Sequence, residues 1–183
     1  MRAALLGLAA LWLAVLNTAQ AQGFTVTSMS PKLVDGVYQL DADIQFELND
    51  AVREALENGV AVTVVFEADV QRLRTWGWDQ TVAELSARYS IEYYALSSRY
   101  VLRNLELGLS KSFRSLEGLL SELGAVRNFP LIDAKLLNIG DTYNTRVRAR
   151  LDIESLPAPL RPLAYLSALW RLTTDWHEKP LAP

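Results

Sequence analysis

The sequence predicts a mainly β chain: an antiparallel β-sandwich or strongly curved sheet of seven to eight strands with two short helices. Three observations predict it. Apolar and polar residues alternate with period two over long stretches, turn signals separate those stretches at short intervals, and only two brief segments carry helical spacing. Nothing resembles βαβ repetition, which argues against a parallel nucleotide-binding sheet.

The first alternating stretch, Val37 to Leu48, puts Leu40, Ala42, Ile44, Phe46 and Leu48 on one face and Asp41, Asp43, Gln45 and Glu47 on the other. That is the pattern of a half-buried strand. "NDAVREALENG" reads as a short helix, capped by Asn49 or Asp50 and released through a left-handed exit at Gly59. Val60 to Val70 alternates again, with Val60, Val62, Val64, Phe66, Ala68 and Val70 inward and Thr63, Glu67 and Asp69 opposite. "RYSIEYYALSSRYVLRN" predicts a hairpin. A two-residue turn at Ser97-Ser98 would set Tyr93 opposite Leu102 and Glu92 opposite Arg103.

After a turn near Gly108, "KSFRS" is a short strand and "SLEGLLSELG" a compact helix with Ser115 as N-cap. Leu116, Leu119, Leu120 and Leu123 form its apolar stripe, and Gly124 ends it. Phe129 to Ile139 reads as irregular or weakly extended, because Pro130 removes a backbone donor. "TYNTRVRARLDI" alternates, with Tyr143, Thr145, Val147, Ala149, Leu151 and Ile153 inward. Pro157, Pro159 and Pro162 leave room only for a helical turn near Leu160 to Tyr165, and "LWRLTTDW" is expected to close the chain as a strand with Trp170, Leu172, Thr174 and Trp176 on one side.

The first residues carry a different signal. Arg2 precedes an uninterrupted apolar run from Ala3 to Leu16, followed by the small-x-small pattern Ala19-Gln20-Ala21. This predicts a secretory signal peptide over residues 1–21, cleaved after Ala21, and a single β-rich domain over 22–183 in the periplasm. The 14-residue run is shorter than the ~20 residues a helix needs to cross a bilayer core, so no stable membrane span is expected after cleavage. The chain has no cysteine, which excludes disulfides, thiolate metal sites and cysteine nucleophiles. Its formal net charge of -3 supplies no overall attraction to nucleic acid.

Several reaction classes lack their residues. His177 is the only histidine, so a multi-histidine metal site is impossible and a Ser-His-Asp triad would depend on it alone. Neither a nucleophile elbow, G-x-G-x-x-G nor a Walker A sequence is present. No catalytic residue, metal or cofactor is assigned. Asp41, Asp43 and Glu47 suggest calcium by composition, but a strand spreads such carboxylates apart instead of converging them.

Two clusters remain as candidate sites. Arg146, Arg148 and Arg150 place three guanidinium groups on one strand face, where they could grip phosphate, lipid headgroups or an acidic partner. The same ladder could instead be the outer face of a sheet, neutralised by carboxylates such as Asp41, Asp43 or Glu92. The second cluster is Trp76, Trp78, Asp79 and Glu84. It reads as two tryptophans on one strand face beside two carboxyl groups, a composition compatible with glycan binding or carboxylate-driven glycan hydrolysis.

The stretches "RYSIEYYALSSRYVLRN", "SFRSLEGLLSELG", "TYNTRVRARLDIESLPAPLRPLAYL" and the ending "WRLTTDW" together resemble a family of exported proteobacterial proteins catalogued as domain of unknown function 4390. His177 and Lys179 depart from that family's more aromatic tail. The resemblance implies a periplasmic location and association with membrane sensor kinases, and it supplies no catalytic residues.

The sequence therefore predicts an exported, non-enzymatic periplasmic binding module linked to envelope signalling, whose partner is an envelope protein or membrane sensor component. The alternatives are a carboxylate-dependent enzyme or binding protein acting on cell-wall glycan, and a carrier of a small apolar ligand. The carrier would require a cavity between the sheets.

Overall fold

The structure is a computed structural model and describes residues 23–181. The predicted leader and its cleavage point after Ala21 lie outside the described residues. Among those described are nine strands in two antiparallel sheets. They are β1 (Phe24–Val34), β2 (Val37–Phe46), β3 (Val62–Arg72), β4 (Gln80–Tyr94), β5 (Arg99–Asn104), β6 (Ser110–Phe113), β7 (Ala125–Asp133), β8 (Tyr143–Leu151) and β9 (His177–Pro180). Three helices join them: α1 (Asp50–Glu57), α2 (Leu116–Gly124) and α3 (Arg161–Leu166). One sheet runs β1-β2-β7 and the other β6-β5-β4-β3-β8-β9.

The sandwich follows from the alternation. Leu40, Ala42, Ile44 and Phe46 of β2 face Val62, Val64, Phe66, Ala68 and Val70 of β3 and Val147, Ala149 and Leu151 of β8 in one buried cluster. Phe66 meets Phe129 edge to face at 5.1 Å, and Phe24 meets Phe46 at 4.7 Å. Helix α2 closes the core where the small sheet stops, contributing Leu116, Leu119, Leu120 and Leu123. Both predicted caps are present: Asn49 accepts from the Val52 N–H, and Ser115 accepts from the Gly118 N–H. Gly59 has φ +82, the left-handed exit that its position requires.

The structure revises four readings. β1 and the first half of β4 are strands that the sequence reading did not assign. Ala125–Asp133 is a continuous strand despite Pro130, because β7 lies at a sheet edge and the register shifts between Tyr38 and Gln39 opposite it. The β4–β5 turn has four residues, not two. It places Tyr93 opposite Tyr100 and Glu92 opposite Val101, because two serines do not supply the paired left-handed conformations of a primed turn and only Ser98 has positive φ. Shifting the register by two keeps every side chain on its expected face.

The closing strand also lies later than expected. Ala168–Trp170 is a 3₁₀ turn, Thr173 makes a single bridge to Arg150, and the last strand is His177–Pro180. Leu172 and Thr174 are buried and bond to β8 on either side of that bridge, the Leu151 N–H donating to the Leu172 carbonyl and the Thr174 N–H to the Ala149 carbonyl, both at 2.8 Å, so the expected strand meets β8 only briefly before pairing resumes at His177.

Candidate functional site

Arg146, Arg148 and Arg150 stand on the outer face of β8, directly across the ladder from Asp69, Glu67 and Val65 of β3. A period of two on both strands puts a three-cation row beside a two-anion row. Arg146 donates through Nε to Asp69 at 2.9 Å and places Nη2 at 2.8 Å from the same oxygen. Arg148 does the same to Glu67 at 2.7 and 2.6 Å. Arg150 reaches the other oxygen of Glu67 at 3.0 Å and lies 3.8 Å from Asp152. The ring of Trp176 lies across two of these cations, 4.3 Å from Arg146 and 4.5 Å from Arg148.

The partners expected for this ladder were Asp41, Asp43 or Glu92; those residues serve other cations. Asp41 takes Lys32 at 2.6 Å, Asp43 pairs with Arg127, and Glu92 lies 4.0 Å from Arg103. The true partners were visible as Glu67 and Asp69 at spacing two on the outward face of β3. What the sequence did not give was which strand lies beside which. With both acids mostly enclosed, at 18% and 10% side-chain exposure, the guanidinium groups are committed to the sheet.

Burial by itself pushes the Glu67 carboxyl up, but the hydrogen bonds from Arg148 and Arg150 outweigh it and hold the group below its ordinary value. Asp41 is lowered by the Asn128 N–H and Lys32, and Asp43 by Ser28 and Arg127. A depressed folded-state value stabilises the fold above the unfolded value and loses that contribution as pH falls through the folded one. Thermal stability is therefore expected to hold from neutrality down to about pH 4.5 and to decline below it. A melting profile that stays flat below about pH 4.5 would contradict the assignment.

The second cluster is divided by the fold. Trp76 and Trp78 sit in the loop between β3 and β4, not on a strand, and are 92% and 93% exposed. Asp79 accepts from the Arg74 N–H at the base of that loop. Glu84 lies five residues on, about 16 Å along an extended strand. It is paired with Asp69 and lines the cleft of the arginine ladder together with Ser86 and Trp176. Glycosidase carboxyl groups stand about 5–10 Å apart, and neither loop tryptophan lines the cleft that Glu84 lines. The space between the sheets is filled by the core side chains, and the clefts described open on the outside.

A third feature had no signal in the sequence reading. β2 pairs with β7 only as far as Asp43, opposite Ala125. The Glu47 N–H points to β1, donating to Gly23 at 3.1 Å, whereas the Ala42 carbonyl points the other way and accepts from Arg127 at 2.8 Å. Backbone groups alternate in direction along a strand. Those of Ile44 and Phe46 therefore face the side that β7 does not reach, and no strand pairs with Phe46 there among the described residues.

Helix α2 runs along this open edge and leaves a groove of 760 Å³, walled by Glu117, Leu120, Ser121 and Gly124 on one side and β2 on the other. Gly124 sets the closest approach: a Cβ there would lie 2.0 Å from the Ile44 carbonyl oxygen. Arg53 faces Glu117 at 3.6 Å at one end, and the Asp43–Arg127 pair marks the other.

The sequence matches the family model described as Domain of unknown function (DUF4390) over residues 21–179. The chain belongs to that family. No curated protein and no solved structure matches it. In this DUF4390 domain the arginine ladder is thus built into the sheet, and the open edge of β2 is the part of the sandwich left unfinished. No helix among the described residues is long and apolar enough to cross a membrane.

Proposed function

We propose that the protein is an exported periplasmic, non-enzymatic module that binds an extended segment of an envelope protein by strand addition, in the groove between β2 and α2. The observation that carries this reading is the unpaired end of the β2 edge, at Phe46, which faces the groove beside α2 and continues into Leu48 along its wall. Such an edge offers backbone donors and acceptors at strand spacing, which only another extended backbone satisfies in series. The helix opposite supplies Leu120 and Ser121 to contact alternate side chains, and charged pairs at both ends favour a polar flank on the guest. A membrane sensor component is the partner class that the family resemblance suggests.

The test is an array of overlapping peptides covering the periplasmic proteins of the host, probed with the purified full chain. Peptides that bind are expected to slow hydrogen exchange at the Phe46 and Leu48 amides, and Ser121→Trp, which fills the groove from an exposed helix position, is expected to abolish binding with the melting temperature kept. Binding that leaves both amides and the Ser121→Trp variant unaffected would remove the groove from consideration, as would the absence of any bound peptide.

A further inference from the structure

At one end of the sandwich two loops stand together. The loop over residues 73–79 is tied to the one over 134–142 by the Leu73 N–H donating to the Thr142 carbonyl at 2.9 Å, and by Arg72 on Asp141 at 3.1 Å. Four of their apolar side chains are turned outward. Trp76 and Trp78 are almost fully exposed, Ile139 is 106% exposed and Leu136 73%. Each tryptophan carries about 150–250 Å² of surface, which water penalises when nothing covers it.

The carboxylates at this end accept hydrogen bonds, and one of them is in an ion pair. Asp141 takes Arg72 and the Asn138 amide, Asp79 accepts from the Arg74 N–H, and Asp133 accepts from the Lys135 N–H. Arg74 rests on the neutral Gln80 at 2.7 Å, and neither Arg74 nor Lys135 forms an ion pair among the described residues. The tip therefore combines protruding tryptophans and two aliphatic side chains with the cations Arg74 and Lys135, which stand near Asp79 and Asp133 without pairing to them.

We propose that this end docks on a lipid bilayer, with Trp76, Trp78, Leu136 and Ile139 entering the headgroup boundary and Arg74 and Lys135 meeting anionic headgroups. Tryptophan is at home at that boundary because its ring is apolar and its N–H stays hydrated. A convex tip suits a deformable surface better than a small ligand, which needs a concavity. A sugar would stack on the two rings but gain nothing from Leu136 and Ile139 beside them. The stems are fixed by the loop-to-loop bonds and by Arg72 and Arg74 on Gln80, so the tip presents its side chains without first having to order. This site is separate from the groove, and either can fail without the other.

The test is co-sedimentation of protein expressed from its full sequence with phosphatidylethanolamine–phosphatidylglycerol vesicles and with phosphatidylcholine vesicles, alongside tryptophan quenching by brominated lipid. Binding with quenching is expected. Trp76→Ala/Trp78→Ala should reduce the bound fraction roughly tenfold and abolish quenching without changing the melting temperature, since neither ring packs on the core. Arg74→Gln/Lys135→Gln should weaken binding to the anionic vesicles and leave the phosphatidylcholine vesicles unchanged. Equal vesicle binding by the double tryptophan variant would overturn the proposal. So would no binding to either vesicle, capture by isolated glycan strands that needs the two tryptophans, or a dimer that the tryptophan variant dissociates.

Discussion

Replacing Gly124 with valine is expected to lower stability by about 3 kcal/mol, enough to reduce Tm by roughly 6–12 °C in a domain of this size. The glycine is needed for space, not for backbone freedom, since its φ is not among the positive ones. Its missing Cβ would sit 2.0 Å from the Ile44 carbonyl oxygen and 3.7 Å from the Phe46 ring, so α2 must lift away from β2 to admit any side chain. The obstacle is backbone and cannot rotate aside. Gly118 in the same helix provides the contrast: its Cβ would meet the Ser115 Oγ at 3.2 Å and the Phe113 ring at an ordinary 3.9 Å, and Gly118→Ala should stay within about 1 kcal/mol of the native protein. Thermal melts of the two variants check both expectations. Equal melting temperatures would mean that α2 is not seated against β2 as described.

Replacing Arg146, Arg148 and Arg150 together with glutamine is expected to destabilise the fold by about 2–4 kcal/mol. The loss comes mainly from what is left behind. Glu67 and Asp69 would be left without a cation, mostly enclosed in the cleft that Trp176 lines, and a carboxylate deprived of its partner in such a place keeps the full cost of its desolvation. Three surface arginines free of partners would behave differently, since exposed ion pairs contribute about 0–1 kcal/mol each. Circular dichroism melts decide the matter. A melting temperature within error of the native value would return the ladder to the role of a free contact surface. Removing the stranded acid provides an independent check: Glu67→Gln in the triple variant should recover part of the loss, because it removes a charge that no longer has an opposite.

Much of the sandwich could be read along the chain because burial on one face of a strand imposes a period that no tertiary detail can hide. Leu40 through Phe46, Val62 through Val70 and Tyr143 through Leu151 all turn inward as their alternation requires. Helix caps are similarly local: Asn49 and Ser115 each bond an N–H three residues ahead, so their role follows from nearby sequence. Where reading failed, a local rule was overridden by position in the sheet. Pro130 suits β7 because an edge strand has one side without a ladder, and edge status is a property of the assembled sheet. Leu172 and Thr174 alternate as a strand would, yet they meet β8 at a single bridge, and the continuous pairing lies farther on at His177 to Pro180.

The candidate sites divide along the same line. The arginine row and the acidic row were each legible as i, i+2 patterns, but their neutralisation depends on β3 and β8 being adjacent, although some 80 residues separate Glu67 from Arg148. Trp76 and Glu84 are eight positions apart in sequence and still serve different surfaces, because the hairpin leaves one at its tip and carries the other down the sheet.

By itself the sequence determined the period-two core, the two capped helices, the lack of thiol chemistry and a single histidine, since each is a property of residue type and spacing. Tertiary structure alone decided which charges cancel, which tryptophans stay uncovered and where β2 is left without a neighbour. Those outcomes rest on strand order and on where β7 begins, and strand order is set by long-range contacts that no stretch of the chain contains.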